Sequence, residues 1–153
     1  MVTDYKKQGT KNRKSGSKTE AQVRAELEAE AYIVCRWQNN VDLDKNKLVG
    51  AKPKYNPFKK MITYSSVGFP DFIVIKPVGK AYGKEYNGTI YGNIAVESKR
   101  NGYLDPIERQ KAQWLLDNDV FNKLIVAKKS KEGHIIYTDF KTKEELKVNE
   151  LFN

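Results

Sequence analysis

Three charged residues stand where apolar stretches of the chain meet polar sequence, at spacings that suit chemistry. Asp71 opens the apolar run DFIVI, and Glu97 and Lys99 end the run NIAVESK. The spacing of an acid two residues before a lysine is a weak signal, because it recurs at Asp4, Asp139 and Glu145. Asp139 also ends a predicted strand and is a competing candidate. Only Glu97 closes a strand that follows another strand opening with Pro-Asp.

Two carboxylates and an ammonium group held together favour chemistry on a phosphate. Side chains alternate along a strand, so Glu97 and Lys99 share one face, roughly 6–7 Å apart, and Ile94 and Val96 face the other way. If the neighbouring strand brings Asp71 alongside, the two carboxylates repel each other unless a proton or a cation intervenes. Mg²⁺ or Mn²⁺ prefers such oxygen ligands and also binds phosphate oxygens.

Such an ion lowers the pKa of a bound water. Lys99 would then orient or deprotonate that water and neutralise the charge of the transition state. The residues therefore predict phosphodiester hydrolysis with a divalent cation. Taken singly, Asp71 and Glu97 are better explained as ordinary charges at strand ends, and Lys99 as a surface lysine; their order and spacing together favour the metal site.

The elements that must position these groups follow from hydrophobic period and turn residues. Residues 1–16 are basic and lack apolar periodicity, which predicts a flexible tail. An apolar stripe ending at Ala31 predicts a helix that begins at Ser17 or Thr19. Strands are predicted over residues 32–37, 71–75, 94–99, 123–129 and 134–140.

A second helix has a clear start signal after the third strand. Asp105 is the predicted N-cap, Pro106 takes the first helical position, and Glu108 completes a capping box. This order of elements predicts an α/β fold with a central mixed sheet flanked by helices, in one domain covering 17–153.

The connections between these elements are also predicted. Residues 38–67 read as a long polar connection, and Asn87-Gly88 is typical of a hairpin turn within 77–92. The segment KEELKVNELF, residues 143–152, predicts a short helix.

The chain is basic, with 28 Lys and Arg against 19 Asp and Glu and a formal charge of +9. The cations are clustered and interleaved with aromatic residues, which favours nucleic acid as the partner over a merely solvated surface. The predicted nucleic-acid-binding residues are Lys52, Lys54, Lys59, Lys60, Lys80, Lys84 and Arg100.

Several classes of protein are excluded by composition. No apolar run approaches the ~20 residues that span a membrane, and no apolar segment follows the basic N-terminus as in a signal peptide. The single cysteine, Cys35, and the single histidine, His134, provide neither an internal disulfide nor a Cys/His zinc site. An intracellular protein is expected.

The motifs GFPDF, residues 68–72, and AVESK, residues 95–99, resemble those of the PD-(D/E)XK nuclease superfamily. The segment 96–130 is similar to the virus-type replication-repair nuclease (VRR-NUC) pattern. That pattern has Glu-x-Lys, a glycine, a helix start, a glutamine and an aromatic residue four positions later. Gly102, Gln110 and Trp114 occupy the glycine, glutamine and aromatic positions of that pattern. The resemblance covers about residues 20–130.

The resemblance implies a restriction-endonuclease-like fold and a set of roles. Asp71 and Glu97 would be metal ligands, together with the backbone carbonyl of Ser98, and Lys99 would be the catalytic lysine. Glu20 would add a direct or indirect metal contact. Segments 40–67 and 77–92 would be basic loop and hairpin insertions, whose DNA-contacting role is inferred from composition.

Two of these residues have alternative explanations. Glu20 shares the apolar stripe of the first helix and is predicted to lean toward the core, but it is a capping-box partner if Ser17 is the N-cap. Gln110 would lie near the active site, and it shares a predicted stripe with Ile107 and Trp114.

The expected function is that of a Mg²⁺- or Mn²⁺-dependent endonuclease without a small-molecule cofactor. The resemblance implies branched DNA, such as Holliday junctions or flaps, cut by a homodimer. A dimer also makes physical sense, because one small domain offers one cleavage centre and a four-way junction needs two. The alternatives are a catalytically inactive nucleic-acid-binding protein of the same fold and a sequence-specific restriction-type enzyme.

Overall fold

The computed structural model describes residues 3–52, 54–63 and 68–153 of the chain. Two α-helices lie in this part, α1 (Thr3–Ala29) and α2 (Pro106–Asp117). The strands are β1 (Ile33–Arg36), β2 (Asn39–Asp42), β3 (Lys47–Gly50), β4 (Lys54–Asn56), β5 (Met61–Thr63), β6 (Phe72–Tyr82), β7 (Asn87–Ser98), β8 (Lys123–Lys129), β9 (Ile135–Asp139) and β10 (Glu145–Leu146). A 3₁₀ turn, Val148–Glu150, follows β10.

Six strands form the central sheet, in the order β1-β6-β7-β8-β9-β10. All neighbours are antiparallel except β7 and β8, which are parallel. A parallel pair needs a crossover, and α2 lies in that connection. The strands β2–β3 and β4–β5 form two separate hairpins.

The two helices cover opposite faces of the sheet. Val23 and Leu27 of α1 are fully buried in one cluster, which includes Ile94 and Val96 of β7. Ala95, between them, belongs to a second cluster. This second cluster also contains buried residues of α2, namely Ala112 and Leu115. Because side chains alternate along a strand, Glu97 shares the α2 face of the sheet with Ala95.

The helix start predicted at Asp105 is confirmed. The Asp105 side chain accepts a hydrogen bond from the Glu108 backbone N–H at 2.8 Å, and the Glu108 side chain accepts one from the Asp105 N–H at 3.0 Å. Pro106 occupies the first turn. The five predicted sheet strands are likewise present as β1, β6, β7, β8 and β9.

The predicted start of the first helix at Ser17 or Thr19 is wrong, because α1 begins at Thr3. Lysine, arginine and glutamine are good helix formers and need no core to be helical. Residues 8–18 are exposed or half-buried, and burial starts at Thr19. The predicted tail therefore has helical backbone from residue 3, while residues 1–2 lie outside the described residues.

The segment 38–67 is more ordered than the predicted polar connection. It contains the two small hairpins, and Val41 of β2 is 3% exposed in the core cluster beneath α2. A short strand with only one residue buried carries almost no periodic signal, which explains the error. Residues 53 and 64–67 of this segment lie outside the described residues.

The hairpin predicted within 77–92 is present as β6 and β7, but its turn is not at Asn87-Gly88. Asn87 pairs with Tyr82, so the connection is formed by residues 83–86. Gly88 instead accommodates the Tyr86 ring, since a Cβ at Gly88 would lie 3.1 Å from the Tyr86 hydroxyl.

The helix predicted near the C-terminus is replaced by β10 and the 3₁₀ turn. Leu151 is fully buried in the α1-side cluster, and Leu146, Val148 and Phe152 pack against it. The apolar residues of this segment therefore reach the core from a two-residue strand, β10, and from the 3₁₀ turn and the residues after it.

The predicted α/β class, with a central mixed sheet flanked by helices, is confirmed; the sheet has six strands and the described residues form two α-helices. The restriction-endonuclease-like fold remains a prediction. Within the described residues, no helix is both long and apolar enough to cross a membrane.

Candidate active site

Asp71 and Glu97 lie at opposing positions on neighbouring chain segments. Phe72 pairs with Val96 in the antiparallel β6–β7 ladder. The residue before Phe72 and the residue after Val96 therefore face each other, at a Cα separation of about 5 Å. Asp71 Oδ2 also accepts a hydrogen bond from the backbone N–H of Ser98 at 2.8 Å. The pairing thus brings together the two predicted metal-ligating carboxylates.

The segment that carries Asp71 is held against the end of β1. The Trp37 backbone N–H donates to the Asp71 carbonyl at 3.0 Å. A Cβ at Gly68 would collide with the Trp37 carbonyl oxygen, so only glycine allows this close approach. The Phe69–Pro70 peptide bond is cis.

Glu97 is a buried carboxylate with an unsatisfied oxygen. The residue is 5% exposed, and its Oε2 has no hydrogen-bond partner among the described residues. Burial, followed by the charge of Asp71, raises the pKa of Glu97 to about 8. A buried carboxylate with a free oxygen costs free energy unless a proton or a cation binds it.

Asp71 shares this environment. Burial raises the pKa of Asp71 to about 6, although the hydrogen bond from the Ser98 N–H opposes the shift. The charge of Glu20 also raises this pKa, and the charges of Lys99 and Arg36 lower it. The two carboxylates therefore favour a state that holds a proton or a cation.

Lys99 lies between two carboxylates, and one of them was missed in the sequence. Its Nζ is 3.3 Å from Glu97 Oε1 and 2.5 Å from Glu108 Oε1. Burial opposes the charged form, but the hydrogen bond to Glu108 and the charge of Glu97 outweigh it and raise the pKa of Lys99. Lys99 is therefore a fixed cation in this arrangement.

Glu108 has two roles at the start of α2. One carboxylate oxygen, Oε2, accepts from the Asp105 N–H in the capping box, and the other, Oε1, accepts from Lys99. The sequence identified the capping box but not the second contact, which depends on how α2 packs on β7. The signal that was available is the short loop of residues 100–104 between Lys99 and the helix.

Glu20 lies at the edge of this group. Its Oε2 accepts from Arg36 Nη2 at 2.9 Å, and its side chain is 30% exposed. The prediction that Glu20 leans toward the core is therefore only half met. Its charge acts on Asp71, but the structure gives it an arginine partner that the sequence did not indicate.

Gln110 does not lie on the buried stripe of α2. It is exposed, as is Ile107, and the buried face of α2 carries Ala112 and Leu115. The predicted stripe was wrong, because the face of α2 that packs on the sheet is the one that carries Ala112 and Leu115. Trp114 is half-buried, and its indole N–H donates to Asn46 in the β2–β3 turn at 2.5 Å.

The competing motif at Asp139 has a structural explanation. Asp139 Oδ1 accepts from the backbone N–H groups of Lys141 at 2.7 Å and Thr142 at 3.0 Å. This carboxylate is 5% exposed and stabilises the turn after β9. It is therefore satisfied by its own turn.

The donor set for a divalent cation is small, with two protein carboxylates. Within the described residues, no group of three or more Asp, Glu, His or Cys side chains converges closely enough to hold a metal ion. Asp71 and Glu97 supply two carboxylates, one with a buried free oxygen. Mg²⁺ commonly binds through one or two carboxylates and completes its shell with water and phosphate, so the residues present fit such an ion.

The predicted nucleic-acid-binding residues are at the surface where described. Lys52, Lys59, Lys60, Lys80, Lys84 and Arg100 are exposed. Lys54 begins β4, and its side chain lies outside the described part. Lys59 and Lys60 lie in the β4–β5 turn beside Phe58, which is 92% exposed. Their contact with DNA remains a prediction.

Comparisons with protein-family models, with curated proteins and with solved structures found no match for this chain.

Proposed function

We propose that this protein is a divalent-metal-dependent endonuclease that hydrolyses phosphodiester bonds in DNA. The observation that carries the proposal is the group formed by Asp71, Glu97 and Lys99 on the α2 face of the sheet. In that group a nearly buried glutamate has one oxygen without a partner and a pKa raised to about 8. Strongly shifted carboxylates beside a fixed lysine are typical of a reaction centre.

Asp71 and Glu97 would hold the Mg²⁺ or Mn²⁺ ion, with the carbonyl of Ser98 as a further oxygen ligand. The ion would supply charge neutralisation at the scissile phosphate and a more acidic bound water. Glu20 would act at longer range, because Arg36 already binds its carboxylate.

Lys99 would contribute a positive charge rather than a base. The pKa of Lys99 is raised, since the hydrogen bond to Glu108 and the charge of Glu97 outweigh its burial. A charged lysine cannot take a proton from water, but its N–H groups can orient an attacking water and stabilise charge on the phosphate oxygens. Glu108 would hold the lysine in place.

DNA as the substrate is supported by the net charge of +9 and the exposed lysines of the two insertions. The preference for branched DNA and the homodimer rest on the resemblance to VRR-NUC proteins. Both belong to the proposal.

The test compares cleavage of a four-way junction, a flap and a linear duplex by the full chain with Mg²⁺, Mn²⁺ or EDTA. We expect cleavage of the branched substrates with either ion and none in EDTA. Glu97→Gln and Lys99→Met should each reduce the rate on the order of 10²–10³-fold, because each removes a group that stabilises the transition state.

The matched controls are Glu30→Gln and Lys147→Met, which change an exposed acid just after α1 and an exposed lysine after β10. These variants should cut at the parental rate. If the parent and all variants bind DNA without a metal ion and none of them cuts it, the protein is an inactive nucleic-acid-binding protein. Cleavage of one unique linear sequence as fast as of the junction would indicate a restriction-type enzyme.

A further inference from the structure

A cavity of about 400 Å³ opens on the α2 face of the sheet, next to the acidic pair. It lies between the loop 101–104, the first turn of α2 and strands β8 and β9. Its lining includes Tyr103, Leu104, Arg109, Val126, Lys128 and Phe140. We call it the α2–β9 pocket. Its volume lies at the lower end of the range for small-molecule sites.

Three walls of the α2–β9 pocket continue directly from the candidate active site. The loop begins two residues after Lys99, and Arg109 follows Glu108 in α2. Lys128 follows Ala127, which pairs with Ser98 in the parallel β7–β8 ladder. Neighbouring strands are about 4.8 Å apart. A DNA strand that crosses the acidic pair would therefore reach this pocket within one or two nucleotides.

The pocket has an apolar interior and free cations. Leu104 and Val126 are 8% and 7% exposed and form part of its interior. Arg109 and Lys128 take part in none of the ion pairs found among the described residues. Tyr103, 77% exposed, stands at the edge.

Two acids also line the pocket, and neither forms an ion pair with Arg109 or Lys128 in the described part of the chain. Asp139 lines the pocket, but its Oδ1 is occupied by two backbone N–H groups of its own turn. Glu145 is exposed on β10. Lys143 adds a third cation, whose Nζ donates to the Phe140 carbonyl and lies over the Phe140 ring.

The loop 101–104 packs closely against Lys128 at Gly102. Gly102 has φ +76°, and a Cβ there would overlap the aliphatic part of the Lys128 side chain. Glycine therefore allows the loop to pack on the aliphatic part of the Lys128 side chain, which restricts the position of that side chain.

We propose that the α2–β9 pocket binds one nucleotide of the DNA strand that passes the cleavage centre. Arg109 and Lys128 contact its phosphate, and Tyr103 stacks on its base above the apolar interior. The faces of a base are apolar and aromatic, which suits stacking on Tyr103, and its phosphate binds cations that have no ion-pair partner. This inference rests on the proposed function for the identity of its ligand, but not for catalysis.

The test uses the full chain in EDTA, so that binding is measured without cleavage. Four-way junctions carry 2-aminopurine at successive positions of one strand, and fluorescence reports when that base leaves the DNA stack. We expect a protein-dependent increase at one or two adjacent positions. Tyr103→Leu should remove it, and should weaken junction binding about tenfold, the loss expected when one base loses its stacking partner.

Arg109→Gln and Lys128→Met should weaken junction binding and reduce the fluorescence increase at the same positions. Glutamine is compatible with the helix, and methionine retains the aliphatic part of the lysine side chain. The matched controls are Arg24→Gln, at an exposed position of α1, and Lys123→Met, at the other end of β8. Controls should retain the fluorescence increase.

Two results would overturn the proposal. One is the absence of any position whose signal depends on Tyr103, Arg109 and Lys128. The other is binding of free thymidine monophosphate that Arg109→Gln removes, with no position-specific signal in the junction; this would make the pocket a site for a free nucleotide. These binding measurements are made in EDTA, so they remain interpretable even if the parent protein does not cut DNA in Mg²⁺.

Discussion

Glu97 is a residue at which burial and negative charge conflict. Burial, and then the charge of Asp71, raises its pKa to about 8. The folded protein thus keeps a proton that the unfolded chain releases above about pH 4.5. Because the folded state binds more protons in that range, the free energy of unfolding falls as the pH rises toward 8.

We therefore predict that Glu97→Gln flattens this pH dependence. A glutamine keeps the shape and has no charge to bury, so the variant should be more stable than the parent at pH 8 and similar at pH 5. Urea unfolding in EDTA at pH 5, 6, 7 and 8 measures the effect. Glu145→Gln, at an exposed site, should keep the parental slope; a flat parental profile would contradict the assignment.

The same linkage predicts how a metal changes stability. A cation binds the deprotonated carboxylates, so Mg²⁺ or Mn²⁺ should raise the melting temperature more at pH 8 than at pH 6. The increase should be absent in Glu97→Gln. Thermal unfolding with and without ions measures it, and an equal increase in both variants would show that the ions bind elsewhere.

Glu108 tests whether Lys99 needs to be held. Glu108→Gln retains an oxygen for the Asp105 N–H but removes the charge beside Lys99. We expect the cleavage rate to fall about tenfold, within the range for partners of reacting groups, with DNA affinity and unfolding free energy unchanged. Glu150→Gln is the control. A loss of stability equal to the loss of rate would indicate a purely structural role.

At the scale of elements, the position of Asp71 depends on the contact between Gly68 and Trp37. A Cβ at Gly68 would collide with the Trp37 backbone carbonyl, which cannot move without displacing β1. Gly68→Ala should therefore destabilise the fold by about 1–3 kcal/mol and displace Asp71.

The measurements for Gly68→Ala are urea unfolding and hydrogen exchange of the Ser98 amide, which Asp71 protects through its hydrogen bond. Exchange at Ser98 should speed up. Gly50→Ala, where an added Cβ meets nothing within 4 Å, is the matched control. Unchanged exchange in Gly68→Ala would mean that the segment adapts without moving Asp71.

At the scale of the whole molecule, the N-terminal part of α1 is rich in cations, and its residues 8–18 are exposed or half-buried. Five cations, Lys6, Lys7, Lys11, Arg13 and Lys14, precede Thr19, which is the first buried residue from position 8 onward. Deleting residues 2–14 should leave the unfolding free energy nearly unchanged. It should reduce the slope of log affinity against log salt for DNA, because fewer counterions are released.

The control for the truncation replaces the five cations by glutamine and keeps the helix. Fluorescence anisotropy across a salt series should give the same reduced slope for both proteins. An unchanged slope would show that this part of α1 stays away from DNA.

Much of the fold was predictable because its signals are local. The capping box at Asp105 and Glu108 involves residues three apart, and the buried strands are short apolar runs. The error at α1 arose because apolar period reports packing, whereas helix formation requires only suitable residues. The hairpin of β2 and β3 was missed because Val41 is its single deeply buried residue.

The sequence by itself determined Asp71 and Glu97 as the candidate pair, from the Pro-Asp and Glu-x-Lys motifs at the ends of two apolar runs. The β6–β7 pairing then placed them opposite each other. Only the tertiary structure decided what surrounds them. Glu108 on Lys99, Arg36 on Glu20 and the exposure of Gln110 all depend on how helices rotate and pack against the sheet. That packing is a sum of many weak contacts between distant residues, and no short stretch of sequence encodes it.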